Sequence, residues 1–249
     1  MSIENFEIKQ NGDSAITLIF KDEISETLTK NILFIKGVIA ELIDSTQLTD
    51  IIPAYQSLTL YYAEPFYDIE KIKIQISYIV RNSVSANKKA KQNKLHSTNK
   101  IINTSAKETI RIPVCYEETY APDLKSLASV LKITAEELIE KHTNGNYLVH
   151  MLGFLPGFLY LGGLDKSLHY PRKKTPAINI AKGSVGIGGQ QTGIYPIKSP
   201  GGWHIIGRTP LTLFDANRSN PIIAKPLDEI KFFPISSKEF IQIESQAQV

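Results

Sequence analysis

The residues best suited to binding or catalysis lie in one stretch, residues 150–215, where glycine and proline are dense and aromatic and hydroxyl residues stand beside them. Glycine permits positive φ and close backbone approach, and proline fixes φ and removes a hydrogen-bond donor. The stretch also carries valine, isoleucine, leucine and phenylalanine, so it is not a flexible linker. It predicts short strands joined by tight turns that line a pocket.

Three segments of this stretch carry groups that suit a ligand. Residues 183–193 (GSVGIGGQQTG) either present backbone N–H groups as an anion-binding nest or form barrel turns that need glycine. Residues 199–203 (SPGGW) place a hydroxyl and the only tryptophan around a forced turn; a tryptophan packed in the core is the alternative. Residues 153–160 (GFLPGFLY) put three aromatic rings around a Pro-Gly turn, either as ordinary packing or as one wall of a pocket.

Arg172 and Arg208 are the charged candidates, because a guanidinium can hold a carboxylate or phosphate through two hydrogen bonds. Either can instead be a surface or ion-paired arginine. The sequence has no GxxxxGK[ST] phosphate loop and no GxSxG nucleophile motif, and its five histidines lack metal-ligand spacing. The single cysteine, Cys115, lies in a predicted strand and is interpreted as a small core residue.

The composition of the 249 residues, 42% hydrophobic and 21% charged, predicts a globular protein of one large or two ordinary domains. A net charge of +3 is too small to indicate nucleic-acid binding. The lone cysteine excludes an internal disulfide, the N-terminal residues lack the pattern of a signal peptide, and no apolar run is long enough to span a membrane. We therefore expect a cytoplasmic protein that binds neither nucleic acid nor membrane.

Hydrophobic periodicity predicts a small α+β domain over residues 1–82. Its predicted strands and helices lie at 15–20, 24–44, 51–55, 57–62 and from Asp68 onward. Residues 83–107 hold six lysines and no acidic residue. Such a run predicts a solvated linker or loop, with a docking tail for an acidic partner as the alternative.

The second half, residues 108–240, is predicted to be a mostly-β domain, a closed barrel or a sandwich. Strands are predicted at 110–115, 147–152, 221–224 and 229–233, and a helix at 122–131. Thr134 and Glu137 form a capping-box pattern that starts a further helix through about His142. The last dozen residues are predicted to be an irregular tail.

Several motifs of this region resemble the allophanate hydrolase subunit 1 family, which includes the B components of bacterial 5-oxoprolinases and a sporulation-kinase inhibitor. They are GFLPGFLYLGGLD, YPRKKTP, GSVGIGGQQTGIYP and SPGGWHIIGRTPL, with IPAYQSL, RIPVCYEETYAPDL and NGNYLVHMLGF upstream in the order of the family. The resemblance covers nearly the whole chain apart from 83–107. Gln56 and Ala177 stand where the family usually has arginine, and Glu117 and Glu118 replace a usual Gly-Gly pair.

The resemblance implies an N-terminal α+β domain followed by a cyclophilin-like β-barrel. It implies that the chain is the B component of a 5-oxoprolinase complex, which uses ATP to open 5-oxoproline to L-glutamate, and that it is inactive alone. The implied partners are a C component of the allophanate hydrolase subunit 2 type and an A component of the lactam-utilisation type. No biotin-carrier motif is present. A regulatory inhibitor of a sensor histidine kinase, and a carboxyltransferase-like or allophanate-type subunit that acts on a urea-type amide, are the alternatives.

For such a reaction the site needs hydrogen-bond donors aimed at developing oxyanion charge and a cation for the substrate carboxylate or a phosphate. No metal ligands are predicted. The predicted catalytic residues are Gln191, Thr192, Ser199 and Arg208. The predicted substrate- or nucleotide-binding residues are Phe154, Pro156, Phe158, Tyr160, Arg172, Gly183, Ser184, Tyr195, Gly201, Gly202 and Trp203.

Overall fold

The computed structural model describes residues 5–92 and 109–246. The chain divides into two compact units, residues 1–106 and 107–249, and each is described by itself. In the described part of the chain, no helix is both long and apolar enough to cross a membrane.

The N-terminal unit is a four-stranded antiparallel sheet that shares one hydrophobic core with two helices. Its strands are β1 (Phe6–Gln10), β2 (Ala15–Phe20), β3 (Leu48–Pro53) and β4 (Ser57–Tyr62), in the spatial order β1-β2-β4-β3. Helix α1 (Glu26–Leu42) begins after Ser25, whose hydroxyl accepts a hydrogen bond from the Leu28 N–H. Its isoleucines 32, 35 and 39 are buried against the sheet. The sequence pattern did not predict β1.

Helix α2 (Ile69–Gln92) continues into the segment that was predicted to be a linker. It starts as predicted at Asp68, whose carboxylate accepts a hydrogen bond from the Lys71 N–H at 3.0 Å. Alanine, lysine and glutamine favour helix, and extension is inexpensive once a helix has been nucleated. Residues 83–92 are therefore helical rather than a loop, and the rest of the predicted linker, 93–107, lies outside the described residues.

The second unit contains a closed barrel of seven strands, in the order β10-β7-β6-β13-β5-β12-β9, as predicted. The barrel strands are β5 (Thr109–Cys115), β6 (Tyr147–Leu152), β7 (Leu159–Gly162), β9 (Ser184–Gly188), β10 (Gln191–Ile194), β12 (His204–Arg208) and β13 (Glu229–Ile235). A separate ribbon pairs β8 (Ala177–Ile180) with β11 (Ser199–Gly201). Strands β13 and β5 pair in parallel, and the other barrel neighbours are antiparallel.

Two predictions about the end of the chain are wrong. Residues 221–224 form no strand and contribute only an isolated bridge between Ile222 and Phe214. The expected tail is largely helix α5 (Ser237–Gln246), because Ser236 and Glu239 cap its first turn and Phe240 is fully buried. The Phe240 ring lies 4.3 Å from that of Tyr120.

Two helices, α3 (Leu124–Leu131) and α4 (Ala135–Asn144), pack against the barrel core. The capping box predicted at the start of α4 is confirmed, since the Thr134 hydroxyl accepts from the Glu137 N–H and the Glu137 carboxylate accepts from the Thr134 N–H. The last turn of α4 brings His142 into the barrel interior, where it is fully buried.

His142 is the centre of a buried polar chain. The Thr192 hydroxyl donates to the Gly186 carbonyl oxygen at 3.0 Å, so its oxygen accepts from His142 Nε2–H at 3.0 Å. His142 Nδ1 then accepts from the Tyr116 hydroxyl at 2.8 Å. Burial lowers the pKa of His142 to about 3, so the imidazole is neutral in the folded protein.

We predict that this neutral histidine makes stability depend on pH. The folded pKa of about 3 lies below the ordinary value of 6.5, so the unfolded chain binds more protons between these two pH values. The histidine's contribution is present above the unfolded pKa, and stability should fall by about 1.4 kcal/mol per pH unit below it.

Urea unfolding at a series of pH values checks this slope. The His142→Gln variant should lack this part of the pH dependence. His169→Gln, at a half-buried position whose ring contacts the Leu164 carbonyl, should keep it. Equal pH dependence in the wild type and His142→Gln would contradict the prediction.

Candidate functional site

An aromatic cavity of about 290 Å³ lies in the second unit. Its walls come from the loop between β6 and β7, strand β7, the segment before β8, the residue after β10, strand β11 and the turn before β12. Its lining residues are Phe154, Phe158, Tyr160, Arg172, Pro176, Tyr195, Pro200, Gly201, Gly202 and Trp203. Eight of the predicted binding residues are therefore brought together here, and Pro176 and Pro200 were not predicted.

Phe158 is at the centre of the aromatic walls. Its ring meets those of Tyr195 and Trp203 edge-on, with centroids 5.1 and 5.5 Å apart. It lies 4.6 Å from the Tyr160 ring at a tilt of 50°. Such edge-to-face contacts are the favoured geometry for aromatic pairs, so the walls hold one another in place before any ligand binds.

The glycines of β9 and β10 accommodate Trp203. A Cβ atom at Gly188 would lie 2.6 Å from the Trp203 ring, and one at Gly193 would lie 2.8 Å from it. A Cβ at Gly186 would be 3.2 Å from Trp203 Cβ. Only glycine leaves room for the indole to lie against the strand backbones.

The structure favours barrel turns over an anion-binding nest at 183–193. The Gly183 N–H donates to the Tyr195 carbonyl oxygen at 2.7 Å, and the Gly189 N–H donates to that of Tyr170 at 2.7 Å. Residues 184–188 and 191–194 pair with each other as barrel strands. These backbone donors are used within the barrel and do not converge on a ligand.

Arg172 lies over the face of Trp203, with its Cζ atom 5.7 Å from the ring centroid. Both chain neighbours of Arg172 are held in place. The Pro171 carbonyl oxygen is 3.0 Å from His204 Nε2, and the Lys173 N–H donates to the Gly202 carbonyl oxygen at 2.7 Å. The backbone on either side of the guanidinium is thus tied to the same wall as Trp203.

Asp123 and Lys173 complete this anchor, and the sequence did not predict them. Lys173 Nζ is 2.7 Å from the Asp123 carboxylate, which also accepts from the Ile205 N–H at 2.7 Å. Both side chains are mostly buried, and 50 residues separate them along the chain. No local sequence pattern predicts such a pair, because the two residues meet only when the barrel forms.

The charge of the lining favours an anionic ligand with an apolar ring. Arg172 is its one charged residue, and no carboxylate of the described residues forms an ion pair with this guanidinium. Burial raises the pKa of Tyr160, and it raises that of Tyr195 to about 12. Both phenols therefore keep their protons at neutral pH. Among the described residues there is no metal-binding cluster of histidine, cysteine or acidic side chains.

Phe154 has a strained backbone at the edge of the cavity. Its φ is +68°, in the left-handed region, and 64% of the residue is exposed. The ring lies 5.8 Å from that of Phe158 and perpendicular to it. A non-glycine residue in this region costs of order 1–3 kcal/mol, and such strain is concentrated at functional positions.

The structure does not bring the four predicted catalytic residues together in this cavity. Thr192 is fully buried in the barrel against His142. Ser199 is buried in β11, and its hydroxyl has no hydrogen-bond partner among the described residues. Gln191 pairs with Gly188 across β9 and β10. Since paired residues share one face of a sheet, its half-exposed side chain lies on the Trp203 side.

Arg208 lines a second cavity, of about 140 Å³, together with Lys182, Glu244 and the segment 209–212. Its Nε donates to the Lys182 carbonyl oxygen at 2.7 Å, and Nη2 is 3.5 Å from the Glu244 carboxylate. Its Cζ atom lies 5.3 Å from the Phe240 ring. These contacts attach helix α5 to the barrel.

The remaining predicted binding residues have other positions. Pro156 is exposed in the loop between β6 and β7. Ser184 is buried at the start of β9, and its N–H donates to the Ala181 carbonyl oxygen at 3.2 Å. Gly183 has a φ of +80°, and a Cβ there would collide with the Thr209 carbonyl oxygen. Gly183 and Ser184 therefore serve the barrel turn.

Comparison with known proteins gives consistent matches. The family model of the carboxyltransferase domain, subdomain C and D, matches residues 6–224. The B component of 5-oxoprolinase from Bacillus subtilis is 37% identical over 94% of this chain and 95% of its own length. That of Escherichia coli O157:H7 is 46% identical over 50% of this chain and 57% of its own length.

A solved structure supports the fold alone. The urea carboxylase of Kluyveromyces lactis superposes with a TM-score of 0.75 at 18% identity, covering 97% of this chain and 23% of that protein. The family inferred from the sequence motifs is confirmed by the family model and the two bacterial relatives. This chain belongs to the carboxyltransferase domain family, subdomain C and D.

Proposed function

We propose that this chain is the B component of an ATP-dependent 5-oxoprolinase complex, which opens 5-oxoproline to L-glutamate. The observation that carries the proposal is the 37% identity to a 5-oxoprolinase B component over nearly the full length of both chains. The aromatic cavity with its single guanidinium agrees with a small anionic substrate. The barrel is proposed to be of the cyclophilin-like type, and the N-terminal unit to be a small α+β domain.

Opening a lactam requires activation, because amide resonance makes the ring carbonyl a poor electrophile. Transfer of the γ-phosphoryl group of ATP to the lactam oxygen supplies it. Water then adds to the ring carbonyl carbon, the carbon–nitrogen bond breaks and the amine takes a proton. A second water hydrolyses the acyl phosphate, so that glutamate, ADP and phosphate are the products.

The lining of the cavity supports the proposal that other chains of the complex supply the catalytic groups. It contains no histidine, cysteine, lysine or carboxylate that could accept a proton or hold a nucleotide metal ion. We assign phosphoryl and proton transfer to the partners, a C component of the allophanate hydrolase subunit 2 type and an A component of the lactam-utilisation type. ATP is thus a cofactor of the assembly, and this chain is inactive alone.

A carboxyltransferase-like subunit that acts on a urea-type amide is the second candidate. The description of the family model and the similarity of the urea carboxylase fold favour it. The two candidates differ in what the substrate amide receives, a water molecule or a carboxyl group. They therefore differ in product.

We predict that the chain co-expressed with its C-component and A-component partners forms glutamate from 5-oxoproline, and that omission of any one chain abolishes the activity. The physical reason is the missing acid–base and nucleotide-binding groups in this cavity. Coupled measurement of glutamate and ADP checks the outcome. A complete complex that forms no glutamate but carboxylates urea in the presence of a biotin-carrying partner would overturn the proposal in favour of the second candidate.

We predict opposite effects for two of the predicted catalytic residues. Arg208→Gln removes an anchor of α5, so it should lower the free energy of unfolding by about 1–2 kcal/mol and leave kcat of the complex nearly unchanged. Gln191→Ala, on the Trp203 side of β10, should leave stability unchanged and lower kcat/KM by roughly tenfold. Denaturant unfolding paired with glutamate formation tests both. Parallel losses of stability and activity in both variants would contradict these roles.

A further inference from the structure

We propose that the aromatic cavity of this chain, rather than a partner, holds the lactam acid, with Arg172 binding its carboxylate and Phe154 closing over its ring. This proposal rests on the proposed function. It adds the position of the substrate site and the class of ligand that the cavity selects. It selects small planar rings that carry a carboxylate. The cavity is distinct from the polar one at Arg208.

The size and walls of the cavity suit one small ring. Its volume of 290 Å³ lies at the lower end of the range for ligand cavities, about 300–1,000 Å³, so it suits a small ligand. Phe158, Tyr160 and Trp203 present ring faces and edges from three directions. A flat amide ring can stack on such walls, and the protonated phenol of Tyr195 can donate to its carbonyl oxygen.

Arg172 fits a carboxylate because no carboxylate forms an ion pair with it among the described residues. It is exposed, makes no ion pair there, and lies over Trp203 on a backbone fixed at both neighbours. Arg208 and Arg218, in contrast, contact Glu244 and Asp215. A guanidinium kept in place without a counter-ion beside aromatic walls is a preorganised anion anchor.

Phe154 supplies the movable wall. Its left-handed backbone is unfavourable, and a residue that is 64% exposed gains little from burial in return. The fold therefore keeps a phenyl ring at the cavity mouth at a cost to its own stability. Contact with a bound ring offsets that cost, because it buries the exposed ring of Phe154.

Trp203 makes the test direct, since it is the only tryptophan of the chain and lines the cavity. Titration of the full chain with L-5-oxoproline should change its tryptophan fluorescence in a saturable manner. 2-Pyrrolidinone, which is the same lactam without the carboxylate, should bind at least about tenfold more weakly, because it lacks the charged hydrogen bonds to Arg172. Proline, which lacks the lactam carbonyl, should also bind weakly.

Variants separate the two assigned roles. Arg172→Gln should weaken 5-oxoproline by about tenfold and bring it level with 2-pyrrolidinone, whereas Arg208→Gln should keep the preference. Phe154→Gly and Phe154→Ala both lose the ring and should weaken 5-oxoproline by about threefold to tenfold. Only Phe154→Gly relieves the strained φ, so its Tm should rise by about 2 °C or more above that of Phe154→Ala.

The binding and activity measurements together show whether the cavity of this chain is the substrate site. If 5-oxoproline leaves the fluorescence unchanged while the assembled complex still forms glutamate, the substrate site is on a partner and the inference is wrong, although the proposed function stands. Equal affinities for 5-oxoproline and 2-pyrrolidinone would show that Arg172 does not bind the carboxylate. If binding follows the expected pattern but no complex forms glutamate, the cavity assignment holds and the proposed function fails.

Discussion

The packing of Trp203 against the bare backbone of β9 and β10 is the contact on which the candidate site depends. Gly186, Gly188 and Gly193 leave a surface without side chains, and any Cβ there would lie within about 3.2 Å of the tryptophan. The indole fills this surface, and Phe158 and Tyr160 pack on the indole. The glycine-rich motif thus creates an aromatic cavity by providing space, and its N–H groups remain in the barrel hydrogen bonds.

A second constraint fixes the only charge of that cavity. The segment carrying Arg172 is attached through the Lys173 backbone to Gly202 and through the Lys173 side chain to Asp123. Asp123 also accepts from the Ile205 N–H, so one carboxylate joins the start of α3, strand β12 and the Arg172 segment. Removal of one member of such a mostly buried pair leaves the other charge unpaired. The arrangement therefore orients a guanidinium without neutralising it.

The period of two along β10 separates structural from ligand-facing groups. Thr192 faces the barrel interior and completes the hydrogen-bonded chain through His142. Its neighbours Gln191 and Gly193 face the opposite side, toward Trp203. Adjacent residues of one motif therefore have different roles: Thr192 stabilises the barrel, and Gln191 lies on the side of the cavity. The site combines a rigid wall with a strained aromatic residue at its mouth, as expected where binding energy offsets local strain.

Most of the elements could be predicted from the amino-acid sequence, because hydrophobic period and capping are local: the strands at 15–20 and 57–62 and the capping box at Thr134 are as predicted. It missed α5, although Ser236 and Glu239 carry the same capping pattern as Thr134 and Glu137. It also located the aromatic cavity, since glycine, proline and aromatic residues are concentrated there. The folded barrel was needed to show that Arg172 lines the aromatic cavity, that Arg208 contacts α5, and that Asp123 supports the Arg172 segment. These distinctions depend on which strands the closing barrel brings together, and contacts between residues 50 apart leave no local pattern in the chain.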